Sequence, residues 1–199
     1  MAEHSAYKQA SDPNLVSPRV SANPFSTTYE ELPDGVEGTF RSLDAMAQCV
    51  RGEIAPDYSG YQDAAIQQIA AGLTSRAQGS ERAEIAALFD FTAHRIAYIE
   101  HPPNEQVCQD ALRTIQIGSG DCVSKSVLLA TLLLARGIPA RFVAQYTGDS
   151  DMYSHVYCEA QLRTGEWLAL DPVASDKPLG WSQPLPADGF ETTWPIFGE

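Results

Sequence analysis

The stretch Gly118-Ser119-Gly120-Asp121-Cys122, followed by VSKSVLLATLLLAR over 123–136 and GIPARFV over 137–143, decides how this chain folds. Gly118 and Gly120 make a pliable turn. Asp121 reads as an N-cap, because its carboxylate can accept a bond from an orphan N–H of the first helical turn. Cys122 then falls at about the first helical position. The helix is expected to end near Arg136, with Gly137 just past the end and Pro139 forbidding continuation. Val127, Leu128, Leu129, Leu132, Leu133, Leu134 and Ala135 make it apolar almost all round, so it should be buried centrally. A cysteine at the start of such a helix feels the positive end of the helix dipole, which favours the reactive thiolate. The alternative for Cys122 is a small buried packing residue at a turn.

The rest of the chain bounds the possibilities. It has 199 residues, 44% of them apolar, and no internal repeat, which suits one domain of ordinary size plus extra chain. A formal net charge of −13 argues against nucleic acid and anionic membrane as partners. The N-terminus MAEHSAYKQA lacks a signal-peptide pattern, and the apolar run Val127–Ala135 is too short to span a bilayer. Cysteines stand at 49, 108, 122 and 158 without C-x-x-C spacing, so neither a zinc site nor any other metal or cofactor is expected. If Cys122 is reactive, three cysteines are left over. That odd number fits the cytoplasm or another reducing compartment, with Cys49 and Cys158 as packing residues.

Upstream of the cysteine helix, residues 1–38 hold Pro13, Pro18, Pro24 and Pro33 with no regular period. They read as an extended arm, suited to docking on a protein partner or a neighbouring copy. Helices are expected over Phe40–Val50, Gln62–Ala77 and, capped by Ser80, from there to about Tyr98, closed by Pro102 and Pro103. His94 on the third reads as a surface or half-buried histidine. Asp110–Ile115 suggests a helical turn or two. Downstream the period changes from helical to alternating. Ala140–Tyr146 and Ser154–Leu162 read as strands, Thr164-Gly165 as a hairpin turn and Glu166–Asp171 as the partner strand, stopped by Pro172. Residues 176–199 read as an extended tail packing on or near the domain, where Trp181, Phe190, Trp194 and Phe197 would wall a cleft.

Cysteine chemistry needs a sulfur nucleophile, a base beside it and a group that orients the base. His155 is on a strand, and Asp171 ends the neighbouring strand of the same hairpin. Pairing 159 with 167 would set 155 opposite 171 on one face, close enough for a carboxylate to hold an imidazole nitrogen. This parity needs an odd-length loop around Arg163–Gly165. The alternatives are a backbone-satisfied histidine and a strand-ending Asp-Pro turn.

With these residues in order, the sequence resembles the transglutaminase-like superfamily of papain-like thiol enzymes over roughly Ile85–Val173. The resemblance is carried by Arg95-Ile-Ala-Tyr98, Gly120-Asp121-Cys122, the Leu-rich helix, Gly137-Ile-Pro-Ala-Arg141, Ser154-His155-Val-Tyr-Cys-Glu159 and Glu166-Trp-Leu-Ala-Leu-Asp171-Pro172. It implies Cys122 as nucleophile, His155 as base and Asp171 as orienting group. It also implies an α+β fold over 39–175, a papain/transglutaminase-like core with N-terminal helices and the cysteine helix packed on an antiparallel sheet. Tyr157 stands where the family often has tryptophan. The expected chemistry is acyl transfer at an amide bond of a protein or peptide, through hydrolysis or through cross-linking of Gln to Lys. The competing reading is a structural component of a virion or another large assembly, with the three residues idle. The Cys122 N–H is a candidate oxyanion donor; a second would come from upstream residues.

Overall fold

The computed structural model describes residues 37–40, 60–100, 106–146 and 155–195; for 37–40, 106–108 and 194–195 it describes the backbone alone. The expectations for residues 1–36, for most of Phe40–Val50, for Cys49 and for Pro102-Pro103 lie outside the described residues. Glu37–Phe40 is a short strand, β1, so Phe40 ends a strand where a helix start was expected. It pairs antiparallel with β3, Gln106–Gln109.

The helices form where capping residues and apolar spacing coincide. Helix α1 spans Ala64–Thr74, its first turn capped by the Asp63 carboxylate, which accepts from the N–H groups of Ala65 at 2.8 Å and Ile66 at 3.2 Å. Helix α2 spans Glu81–Arg95 behind the Ser80 cap. It does not run on to Tyr98 as the spacing suggested. Ile96 is extended, and Ala97–Tyr98 form a strand, β2, paired in parallel with β4, Ser119–Gly120. The physical reason is a competing partner: the Ala97 N–H donates to Gly118 O at 2.8 Å and the Ile99 N–H to Gly120 O at 3.2 Å. Helix α3 is Ala111–Ile117, capped by Asp110 and ended by Gly118 at φ 71°, a left-handed geometry that glycine adopts without strain.

Helix α4, Cys122–Ala135, is the centre of the molecule. Every residue in it except Cys122 and Leu134 is buried. Asp121 caps it by accepting from Ser124 N at 2.8 Å, and Gly137, at φ 71°, follows its last turn. Ile66, Ile69, Ile85, Leu88, Leu112 and Ile115 close on it from the other three helices. The opposite side packs on a four-stranded antiparallel sheet of order β7–β6–β5–β8: Trp167–Leu170, His155–Gln161, Ala140–Tyr146 and Phe190–Pro195. Ala140, Phe142, Ala144, Val156, Cys158, Ala160 and Leu170 are the sheet's share of this core. The tail read as extended thus contains an edge strand, whose Phe190 ring stacks on Tyr146 at 4.9 Å. Mixed helices against one antiparallel sheet make this an α+β fold.

Candidate active site

The local folding rules bring three chemically able side chains from separate elements to one point. Cys122 opens α4 and is half-buried. His155 opens β6, and Asp171 follows the last residue of β7. The His155 Nε2–H donates to Asp171 Oδ2 at 2.8 Å, with the two side chains only 13% and 3% exposed. The other carboxylate oxygen, Oδ1, accepts from Val173 N at 3.1 Å, which fixes the orientation of Asp171. Because Nε2 is committed to the carboxylate, Nδ1 is the ring nitrogen left to face the Cys122 side chain, whose proximity raises the pKa of the ring.

The register that achieves this differs from the expected one by two residues. Glu159 stands opposite Ala169 and Gln161 opposite Trp167, so Asp171 is diagonal to His155 rather than directly across. The side parity is unchanged, and a diagonal neighbour is within reach of an imidazole. The three-residue loop 163–165 closes through Leu162 N donating to Glu166 O at 2.8 Å, with Gly165 at φ 89°.

Burial of the His155 ring disfavours its charged form. The bonds to the Asp171 carboxylate and to Cys122, with the charges of both, outweigh that and push its pKa up to about 10. At neutral pH this histidine therefore carries a proton that it can give away.

Three further residues support the site; two of them, Ser126 and Lys125, were not singled out by the sequence reading, and Gly120 was read only as part of a pliable turn and of the Gly120-Asp121-Cys122 motif. Ser126 Oγ sits 2.7 Å from Cys122 O and 3.2 Å from Val156 O, pinning the first turn of α4 to the strand that carries His155. Lys125 is 2% exposed, and its Nζ donates to Ala93 O at 3.2 Å and Ile96 O at 2.9 Å, so it ties the end of α2 to the cysteine helix. Burial lowers its pKa to about 8, with the Asp171 charge acting in the opposite direction. Gly120 has no room for a side chain, since a Cβ there would lie 2.8 Å from Ser124 Cβ. The serine and lysine gave no usable signal, because both are usually solvent-facing on a helix. The glycine had one, its place immediately before the cap.

The other sequence candidates lie apart from this point. His94 is an exposed residue 4.0 Å from Asp90 on the same helix. Cys158 is fully buried, its thiol 3.7 Å from Leu170 O and raised in pKa chiefly by desolvation, which suits packing rather than reaction. Cys49 is outside the described residues, and so is the Cys108 side chain. Among the described residues no three His, Cys, Asp or Glu side chains converge as a metal-binding set, and no helix is long and apolar enough to cross a membrane.

Two solved structures resemble the fold. A provisionally assigned protease of Parabacteroides distasonis aligns with a TM-score of 0.51 at 19% identity, over 66% of this chain and 26% of that one. A provisionally assigned cysteine protease of Cytophaga hutchinsonii aligns with a TM-score of 0.47 at 18% identity, over 74% of this chain and 57% of that one. This chain therefore spans about a quarter of the first and somewhat over half of the second. At 19% identity the first likeness is one of fold. Among curated proteins no sequence matches this chain. The family model described as the transglutaminase-like superfamily matches residues 67–172, a span that runs from within α1 to the residue after Asp171 and takes in more than half of the chain. The chain belongs to the transglutaminase-like superfamily.

Proposed function

We propose that this protein is a thiol-dependent acyl-transfer enzyme that hydrolyses an amide bond in a protein or peptide, with Cys122 as nucleophile, His155 as acid and base, and Asp171 as the group that orients His155. The single observation that carries the reading is the buried 2.8 Å bond between His155 and Asp171, on a ring that also feels the nearby Cys122 side chain. The Cys122 sulfur adds to the carbonyl carbon, forming a C–S bond while the carbonyl π pair moves onto oxygen. The oxygen pair returns, the C–N bond breaks and the nitrogen leaves with the proton held by His155. The resulting thioester is attacked by water, whose proton passes to His155. Collapse of that second adduct frees the carboxylic acid and the sulfur. Asp171 keeps the imidazole oriented through both halves and stabilises its charged form.

Hydrolysis is preferred over cross-linking because Cys122 is half-buried rather than enclosed. A thioester that water can reach is hydrolysed unless the site excludes water and orients an amine. The choice of a protein or peptide substrate draws on the protease name carried by the Parabacteroides distasonis structure. Casein incubated with wild type and with Cys122→Ala, with and without a primary amine, tests the proposal by mass spectrometry. New casein termini produced by wild type alone are the expected result. Amine incorporation instead would make it a cross-linker, and silence from wild type would sink the enzyme reading.

A further inference from the structure

The span matched to the family ends at residue 172, and strand β8, Phe190–Pro195, lies beyond it. The start of that strand is closely seated on β5. The Phe190 ring stacks on Tyr146, and Gly189 passes so near that a Cβ there would lie 2.9 Å from Tyr146 O. This seating sets Glu191 directly opposite Gln145, and Gln145 stands directly opposite His155 on β6. Directly opposed residues share a face, as do residues two apart on one strand. Glu191, Gln145, His155 and Tyr157 therefore belong to one face of the sheet.

Tyr157 and Gln145 flank the imidazole on that face. Tyr157 is 1% exposed, and its ring lies along that of His155, with centroids 6.2 Å apart and planes 24° from parallel. Gln145 is fully buried. Burying a phenol and an amide is costly unless they are matched, and here the partners come from the C-terminal stretch. Gln145 Nε2 donates to Gln183 O at 3.0 Å and to Glu191 Oε2 at 3.4 Å, and the Tyr157 hydroxyl donates to the same Oε2 at 3.5 Å. Burial raises the pKa of the phenol and the charge of Glu191 raises it further, with Ser182 acting the other way, so Tyr157 keeps its proton for that bond. The Asp171 bond holds one atom of the imidazole, and a planar ring held at one atom can still turn about that bond. A flat side chain alongside it removes this freedom, provided that the flat side chain is itself held.

We infer that Glu191 is a positioning residue for His155: its carboxylate anchors Tyr157 and Gln145, the two side chains that flank the imidazole in the sheet. The C-terminal strand thereby takes part in catalysis through other side chains rather than through the substrate. Its effect falls on the steps in which His155 must point at a particular atom, above all the delivery of a proton to the leaving nitrogen. This inference rests on the acyl-transfer reading.

The test uses two acyl donors that differ in what the leaving group needs. An amide nitrogen of casein must receive a proton to leave, whereas p-nitrophenolate leaves p-nitrophenyl acetate without one. Wild type is compared with Glu191→Ala, which removes the anchor, with Tyr157→Phe, which keeps the ring and removes the hydroxyl, and with Glu191→Gln, whose amide oxygen can accept both bonds. All rates are taken per folded molecule. In Glu191→Ala and Tyr157→Phe, kcat for casein should fall by about 10–100-fold with KM unchanged, the scale of loss when a reactive group is held less exactly. The burst of p-nitrophenolate should slow much less. Glu191→Gln should recover most of the casein activity, and the double variant Tyr157→Phe with Glu191→Ala should be no worse than Glu191→Ala, because the two act along one path. Unchanged casein cleavage in both single variants would overturn the inference and leave the acyl-transfer reading standing. So would an equal loss on casein and on the ester, which marks a general loosening of the fold, and so would a Glu191→Gln as impaired as Glu191→Ala. A wild type that gives the ester burst but never cleaves casein would overturn the amide-hydrolysis reading and the inference together.

Discussion

At the first turn of α4, Asp121, Ser124, Lys125 and Ser126 are all buried: Asp121 caps Ser124 N, Lys125 reaches Ala93 O and Ile96 O, and Ser126 bonds to Cys122 O and Val156 O. At the last turn the chemistry is ordinary. Arg136 pairs with Glu84 at 3.4 Å and Arg163 with Glu81 at 3.6 Å, and these four residues with Ile138 and Leu162 line a cleft of about 360 Å³. An open cleft therefore sits at the end of the helix that carries no nucleophile. Ion pairs in contact with solvent cost little to make and contribute little. Buried polar groups cost several kcal/mol unless every one is matched, so a cluster of them persists where it is held for a purpose. In this molecule burial of polarity distinguishes the cysteine end of the helix.

The sharpest way to break this contrast is to remove the orienting carboxylate. Asp171→Asn should lower kcat/KM by about 100–10,000-fold, the range expected when an acid–base residue is misoriented. Activity that needs protonated His155 is lost as pH rises through its folded pKa, so the basic limb of the profile should lie near pH 10 in wild type. In the variant it should move to lower pH, because burial is then opposed only by the bond and charge of Cys122. The same bond stabilises the fold. Since the folded pKa is above the unfolded 6.5, that stability is complete below pH 6.5 and is lost between 6.5 and about 10. Denaturant titrations should slope downward in wild type between pH 6.5 and about 8, where Lys125 does not yet offset the effect, and this slope should flatten in Asp171→Asn.

Leu132→Ala, in the middle of α4 where both ends share a core, should cost about 2–5 kcal/mol of stability. Its kcat per folded molecule should stay at the wild-type value, and a kcat that falls in step with stability would blur the distinction between the ends. Lys125→Met comes next. The wild-type lysine has a folded pKa of about 8 against 10.5 unfolded, so the folded state holds fewer protons between those values and stability rises with pH there. The rise is on the order of 3 kcal/mol, partly masked below pH 10 by the opposite contribution of His155. Subtracting the two chemical-denaturation curves, wild type minus Lys125→Met, should expose it as a positive slope. The smallest effect belongs to the far end: Arg136→Ala should change stability by about 0.2–1 kcal/mol and leave kcat/KM untouched.

What could be read from the residues follows the same division. The body of α4, its Asp121 cap and Gly137 end, and the strands from Ala140 and His155 are all written in local patterns, because a capping side chain and an apolar period act over a few residues. Cys122, His155 and Asp171 were legible as candidates for the same reason. The register of the hairpin was not, since a shift of two residues preserves which face each side chain takes. Tyr98 was expected at a helix end, because the rule that helices continue through apolar positions knows nothing of Gly118 and Gly120 waiting to pair with it. Lys125 could not be seen at all: its burial depends on carbonyls left open by α2, 29 residues earlier in the chain and more. In the last strand, FETTWP is rich in strand formers, yet only tertiary contact with β5 tells it from the irregular stretch before it.

That last strand carries a consequence for anyone dissecting the molecule. Phe190–Pro195 supplies the whole outer ladder along Arg141–Tyr146. Cutting the gene at residue 175 would strip six rungs from β5 and leave a bare strand edge, the kind of surface that recruits foreign strands into aggregates. A single protease nick between 176 and 189 would behave otherwise. The severed peptide would remain clipped along β5 by its ladder hydrogen bonds, giving a two-piece molecule that runs as one species on a native gel and as two under denaturing conditions.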